Sequence, residues 1–258
     1  MEKHPKNRYP SVKHISNAEH RGIVKEIFST ITERYDLLNH VLSMGVDIYW
    51  RRFAVKKMRF FRTFRLLDVA TGTGDVAVCA SAVHPDIGIT GLDFIQSMLK
   101  AGKEKVSRKG LGQKISLVQG DAESLPFPDS AFDVVSIAFG IRNVPDRKRA
   151  IKEMIRVLVP GGRLMVLEMT FARRSLFRNA IRLYLNRILP FIAGRITANP
   201  GAYHYLADSI MNFPPPAEFA GSLEGLGLKE VAVHPLTFGI TCLYIGLKPG
   251  EEKLLKRI

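Results

Sequence analysis

Leu66-Leu67-Asp68-Val69-Ala70-Thr71-Gly72-Thr73-Gly74-Asp75 reads as a buried strand running into a glycine-bearing turn and then directly into a helix. Leu66, Leu67 and Val69 suit a strand, while Gly72 and Gly74 permit a tight turn and close approach of a ligand to the backbone. Asp75 stands at the expected helix N-terminus, followed by the run Val76-Ala77-Val78-Cys79-Ala80. A strand–glycine turn–helix unit is the nucleotide-cofactor platform of doubly wound folds. It leaves open which cofactor is held.

Outward from this unit the chain alternates strand and helix. The pattern predicts strands over 65–70, 87–92, 115–119, 132–138 and 163–169. Helices are expected over 75–83, 96–109 and 147–158, the last stopped by Pro160-Gly161-Gly162. Residues 228–234 and 240–247 read as a closing antiparallel hairpin. The fold class is therefore α/β, a seven-stranded, mostly parallel sheet with helices on both faces and a C-terminal hairpin. Before the sheet, Ser16-Asn17-Ala18-Glu19 has the form of a capping box. Ile23, Ile27, Ile31, Tyr35, Leu38 and Leu42 then recur at helical spacing, predicting one amphipathic helix up to Gly45. Residues 1–60 are expected to cap the same domain, 61–249 to form the core with a helical insertion at 171–225, and 250–258 to form a tail.

The 258 residues carry a net charge of +14, and a balance this basic points to an anionic partner, nucleic acid or an anionic membrane surface. Arg174, Arg178 and Arg182 recur at fourfold spacing in 171–192, a basic amphipathic pattern that suits a membrane-surface helix or a lid over the core. Cys79 and Cys242 lie far apart with neither metal nor redox spacing. The polar start is not followed by an apolar stretch, and no apolar run of about 18 residues occurs. The expected location is cytoplasmic, on the inner face of the membrane.

Gly72-Thr73-Gly74-Asp75-Val76-Ala77 satisfies the permissive dinucleotide pattern, with Asp93 at the distance of a ribose-binding acid. A pyrophosphate on the helix N-terminus would meet Asp75, and no Gly-Lys-Ser/Thr follows, which argues against NAD and against a P-loop. A phosphate-free cofactor removes the conflict. S-adenosylmethionine (SAM) combines an adenosine, a sulfonium cation and an amino-acid end. Asp93 after the second strand suits a ribose diol. Asp121 and the Ala122 N–H after the third suit adenine, and Asp68 suits fixing the turn.

Further motifs carry a family resemblance: Tyr35-Asp36-Leu37-Leu38-Asn39, Trp50-Arg51-Arg52, Gly120 to Pro128, Phe139-Gly140-Ile141-Arg142-Asn143-Val144, Arg156 to Gly162, Tyr205 to Ile210 and Leu236 to Ile240. With Leu67–Asp75, these resemble the bacterial ubiquinone/menaquinone-biosynthesis C-methyltransferases, within the class I SAM-dependent methyltransferases, from about residue 25 to 249. Phe-Gly-Ile-Arg-Asn is the family-specific element. The resemblance implies methylation of a ring carbon of a polyprenyl quinol, naphthoquinol or benzoquinol, at the membrane surface, with no nucleic acid bound; oligomeric state stays open. It implies cofactor contacts at Thr73, Asp93, Asp121 and Ala122, beside Gly72 and Gly74, and no metal. Thr71 stands where the family often has Gly, and Ala138 where many members have Ser.

A phenol is a strong carbon nucleophile only as its proton leaves, and its pKa is about 10. Arg142 is expected to stabilise the phenolate, being unfit as a base, and Asn143 to orient the ring oxygen. Tyr203, His204 and Tyr205 are further candidates for proton transfer, each otherwise a packed side chain. An RNA methyltransferase would suit the charge, but the position after the fourth strand lacks the Asn/Asp-Pro-Pro-aromatic element of amine methylation. A non-enzymatic membrane module would not need the strand-end acids.

Overall fold

The computed structural model describes residues 9–12, 14–170 and 201–250. The seven strands are β1 (Arg65–Val69), β2 (Gly88–Asp93), β3 (Ile115–Gln119), β4 (Phe132–Ala138), β5 (Leu158–Met169), β6 (Lys229–Leu236) and β7 (Thr241–Leu247). They lie in the order β3-β2-β1-β4-β5-β7-β6. β1 to β5 pair in parallel, and β7 runs antiparallel between β5 and β6. The chain winds outward from β1 through β2 to β3, then returns to place β4 on the other side. The crevice outside the carboxyl ends of β1 and β4 is thus a topological switch point, where ligands bind in open sheets.

Each sheet face has its own core. One holds Met154, Val157 and Phe219 against Leu67, Val135 and Tyr244. These come from α6 (Arg147–Val157) and α8 (Pro216–Gly225). On the other, Trp50, Val55, Ala77 and Leu99 meet Leu66, Val134 and Leu243. They come from α3 (Val46–Lys56), α4 (Asp75–Val83) and α5 (Gln96–Arg108). A third cluster joins Ile27 and Leu38 of the N-terminal cap to Tyr205 and Ile210 of α7 (Gly201–Met211).

Three expectations are corrected. The single helix up to Gly45 is α1 (Asn17–Ile31), a 3₁₀ turn (Thr32–Arg34) and α2 (Tyr35–Leu42). The Thr32 hydroxyl bonds the Phe28 carbonyl (2.7 Å) and Ser97 (2.9 Å), a side chain competing with the helical ladder at the break. Pro160-Gly161-Gly162 does not separate helix from strand but lies inside β5, where the register with β4 shifts between Phe132 and Val134. A Cβ at Gly162 would sit 2.8 Å from the Val159 carbonyl and 2.9 Å from that of Asp133, so this crossing needs glycine. β6 runs on through Pro235 to Leu236, which an edge strand tolerates. The basic helix expected over 171–192 lies outside the described residues.

Candidate active site

The turn after β1 is built on left-handed backbone at Ala70 (φ 51°), Gly72 (φ 58°) and Gly74 (φ 85°). Asp68 fixes it from below. Its carboxylate accepts hydrogen bonds from Thr71 Oγ1 (2.6 Å) and Ser136 Oγ (2.8 Å), and burial pushes it up to about 6. Asp93, at the end of β2, accepts from the Gly72 N–H (2.7 Å) and the Ile95 N–H (2.8 Å). Burial raises its carboxyl above the usual range, against the lowering by these backbone donors. Asp121 follows β3, accepts from the Glu123 N–H (2.9 Å) and is ion-paired with Arg21 of α1, which also grips Glu123.

Gly72, Asp93, Asp121 and Ala122 line one cavity of about 110 Å³ beneath α1. Thr73 and Gly74, expected beside the cofactor, do not line it. The Thr73 hydroxyl is turned away, donating to Asp36 (2.6 Å) and accepting from Lys105 Nζ (2.9 Å), so it ties the turn to α2 and α5. Gly74 is the N-cap of α4. Asp75 also faces away, paired with Lys105 (2.6 Å) and within 3.6 Å of Arg51. A pyrophosphate would therefore be repelled by the cavity wall rather than by Asp75. That wall carries Asp93, Asp121 and Glu123, with Arg21 already held by two of the three. Three acids around a glycine turn suit a diol and an exocyclic amine, and repel phosphate.

A second chamber of about 440 Å³ lies against the first. Its wall is mainly apolar, with Ile27, Leu38, Trp50, Met169 and Leu206. Phe28, Tyr35, Phe139 and Asn143 belong to both walls. Met44, Phe139, Thr237 and Phe238, all on the chamber wall, have positive φ, a concentration of strained backbone of the kind found at functional sites. Trp50 holds Thr237 there through an Nε1–H to Oγ1 bond of 2.7 Å.

Arg142 and Asn143 lie in a 3₁₀ turn (Ile141–Asn143) after β4, and both reach the chamber. Arg142 is ion-paired with Glu168, a fully buried carboxylate of β5, and donates from Nη1 to the Phe139 carbonyl (2.8 Å). Its Nε has no partner among the described residues. The guanidinium is thus a charge matched by Glu168 rather than a bare one. Asn143 Oδ1 lies 3.2 Å from the Tyr205 hydroxyl, which is 2.8 Å from His20 Nε2. Burial raises the Tyr205 and Tyr35 hydroxyls above the ordinary phenol range. His204 is exposed, and the Tyr203 side chain lies outside the described residues.

Sequence reasoning missed Glu168, Tyr35, Arg21 and His20 as members of the site. Glu168 had a signal, as a lone acid inside the apolar stretch Leu164 to Met169. Tyr35 read as a periodic helical position and as part of a family-resemblance motif, without a site role, and nothing local marks Arg21 or His20. Among the described residues no group of three or more His, Cys, Asp or Glu could hold a metal ion.

This sheet order, with acids closing β2 and β3 around a glycine turn, is the architecture of the class I methyltransferases. A SAM-dependent methyltransferase from Thermotoga maritima, a possible histamine N-methyltransferase, superposes with a TM-score of 0.62 at 21% identity, covering 86% of this chain and 99% of that one. That likeness establishes the fold. The chain belongs to the ubiE/COQ5 methyltransferase family, whose model matches residues 14–248. It is 46% identical over 226 residues to the ubiquinone/menaquinone biosynthesis C-methyltransferase UbiE of Geotalea daltonii, covering 87% of this chain and 96% of that protein. To the demethylmenaquinone methyltransferase of Thermus thermophilus it is 43% identical over 223 residues, covering 86% and 100%.

Proposed function

We propose that the chain methylates a ring carbon of a prenylated hydroquinone, demethylmenaquinol to menaquinol, and accepts the methoxy-benzoquinol of the ubiquinone pathway as an alternative ring. The observation that carries this reading is the shared wall. An acid-lined cavity and an apolar chamber meet at Phe28, Tyr35, Phe139 and Asn143, so a nucleoside sulfonium and a quinol ring would meet there. Family membership and the two relatives named above support the same assignment.

The donor set fits SAM. Asp93 presents a buried carboxylate for a ribose diol, Asp121 an acceptor for an adenine amino group, and Gly72 a close backbone. SAM supplies an electrophilic methyl group on a positively charged sulfur. The protein's part is to bind the ring, orient it and draw off its proton. Arg142, on the chamber wall with its charge met by Glu168, stabilises negative charge on the ring oxygen as the O–H proton leaves. Asn143, on both walls, orients that oxygen toward the cofactor side. The apolar remainder of the chamber takes the start of the prenyl tail.

We extend the reading to membrane contact, supported by exposed apolar residues near Met44 of the chamber wall. Leu37, Val41, Met44, Ile48 and Tyr49 on α2, α3 and the turn between them are exposed, Met44 to 82%. An apolar rim beside the chamber, on a chain with net charge +14, suits an anionic bilayer from which a tail is threaded. No helix among the described residues is long and apolar enough to cross a membrane. The direct test is methyl transfer from labelled SAM to demethylmenaquinol, to the benzoquinol and to RNA, with SAM and NADH binding measured alongside. Transfer to a quinol with SAM bound in preference to NADH is expected. Transfer to RNA alone sinks the reading.

A further inference from the structure

Removing the quinol proton needs a base, and the chamber wall does not hold a suitable one among the described residues. Arg142 is a guanidinium donor paired with Glu168, Asn143 is not basic, and Tyr35 and Tyr205 are phenols pushed upward by burial. Asp47 is held down by Ser43, His40 and Arg51, so it is a weak acceptor. One hydrogen bond behind that wall another titratable group remains among the described residues. His20 sits there. It is 7% exposed, on α1, with Nε2 2.8 Å from the Tyr205 hydroxyl, while Tyr205 itself lines the chamber.

We propose that His20 takes the quinol proton through Tyr205. Tyr205 is the group that touches substrate, and His20 is a positioning residue acting through it. Tyr205 has one O–H and two neighbours, His20 Nε2 at 2.8 Å and Asn143 at 3.2 Å. The relay requires the Nδ1–H tautomer of His20, with the Tyr205 O–H donating to Nε2 rather than to Asn143 Oδ1. Asn143 Oδ1, 3.2 Å from the same hydroxyl, is the second acceptor to which the Tyr205 O–H can turn.

The transfer balances. The quinol O–H bond breaks with its electron pair left on oxygen. That proton bonds to the Tyr205 oxygen as the original phenol proton passes to His20 Nε2, leaving a neutral tyrosine and an imidazolium. The ring carbon's own proton is lost to solvent once carbon has been methylated. His20 then returns its proton through Tyr205 to the ring oxygen, so one proton leaves per turnover.

The groups facing this pair suit a neutral resting imidazole. Arg147 of α6 faces His20; Arg142, Arg147, Glu168 and Asp208 act on Tyr205. Burial, with the Arg147 charge added, holds the imidazole below its ordinary value. His20 is therefore neutral and able to accept above about pH 6.5. Turnover is lost as pH falls through its lowered value.

The proposal rests on the reading that the quinol ring occupies the chamber. The experiment uses the full chain, with SAM and demethylmenaquinol, and compares wild type with His20→Gln, Tyr205→Phe and the double variant. Glutamine places an acceptor oxygen where Nε2 stands, so it rescues a structural role but cannot carry a proton. His20→Gln is expected to lower kcat at least tenfold, with KM for the quinol and Kd for SAM unchanged, and to erase the acid limb of the kcat profile. The double variant is expected to be no worse than Tyr205→Phe. Nitrogen-15 shifts of the histidines report independently of turnover: Tyr205→Phe should move the His20 Nε2 titration. Wild-type kcat in His20→Gln, a reduced kcat with the acid limb intact, or a His20 titration indifferent to Tyr205→Phe overturns the proposal. A wild-type chain that leaves the quinol unmethylated fails at the substrate assignment instead, before any variant is compared.

Discussion

Arg142 cannot be separated from Glu168. Glu168 is fully buried and accepts from the Arg142 N–H (3.2 Å) and the Met169 N–H (2.8 Å) besides the guanidinium. Arg142→Ala would strand this carboxylate, at a cost of roughly 3–5 kcal/mol, so lost turnover would confound lost folding. Arg142→Lys keeps the charge opposite Glu168 and removes Nε–H. It is expected to lower kcat by about tenfold to a hundredfold while leaving SAM affinity within about twofold, readable by steady-state kinetics beside calorimetric binding. Unaltered kcat would remove the phenolate-stabilising role. Asp68 makes a second prediction. Its folded value of about 6 lies above 3.8, so between these values the folded state holds a proton that the unfolded chain has released. Stability from this group is present at low pH, falls as pH rises from about 4 to 6 and is level above, a span on the order of 3 kcal/mol. Asp68→Asn can still bond both hydroxyls without ionising. In denaturant melts its stability relative to wild type should climb through that window, and parallel curves would refute the assignment.

At the scale of elements, α1 is held on the cofactor side by one residue. Arg21 spans from α1 to Asp121 and Glu123, with 36% of its side chain exposed. The cavity below measures about 110 Å³, under the roughly 300–1,000 Å³ of small-molecule sites, and on the proposed reading α1 lifts to admit a nucleoside. Arg21→Gln is expected to speed SAM association several-fold in stopped-flow fluorescence, since the latch is gone and Asp121 is free to accept. An unchanged association rate would show that α1 does not limit entry. The same scale shows where local pattern stops being informative. Strands β3 and β4 were legible to the residue because interior β4 is buried along nearly its whole length, while edge strand β3 alternates buried Ile115 and Leu117 with exposed Ser116 and Gln119. The break at Thr32 was not, because Ile31, Tyr35 and Leu38 keep helical spacing across it while Ser97, far along the chain, competes for the hydroxyl.

For the molecule as a whole, the proposed membrane contact rests on the net charge of +14 and the exposed apolar residues near Met44. Binding to vesicles containing anionic lipid is expected to weaken as salt rises. Met44→Asp with Ile48→Asp should cut that binding without lowering SAM affinity, measured by vesicle sedimentation and calorimetry. Full vesicle binding in the double variant would move the contact elsewhere on the surface.

The opening stretch, Leu66 to Asp75, determined by itself that a cofactor turn exists, and the acids at 93 and 121 that its ligand carries no phosphate. These are properties of strand ends, and strand ends are written in local residue types. Where each side chain aims was decided only in three dimensions. Thr73 turned to Asp36 and Lys105 instead of the cavity, and Asp75 to Lys105 and Arg51. Arg142 was matched by Glu168 on the neighbouring strand, and Tyr205 by His20, 185 residues away. Buried charges and hydroxyls must find partners, and in a folded chain those partners come from whatever element packs alongside.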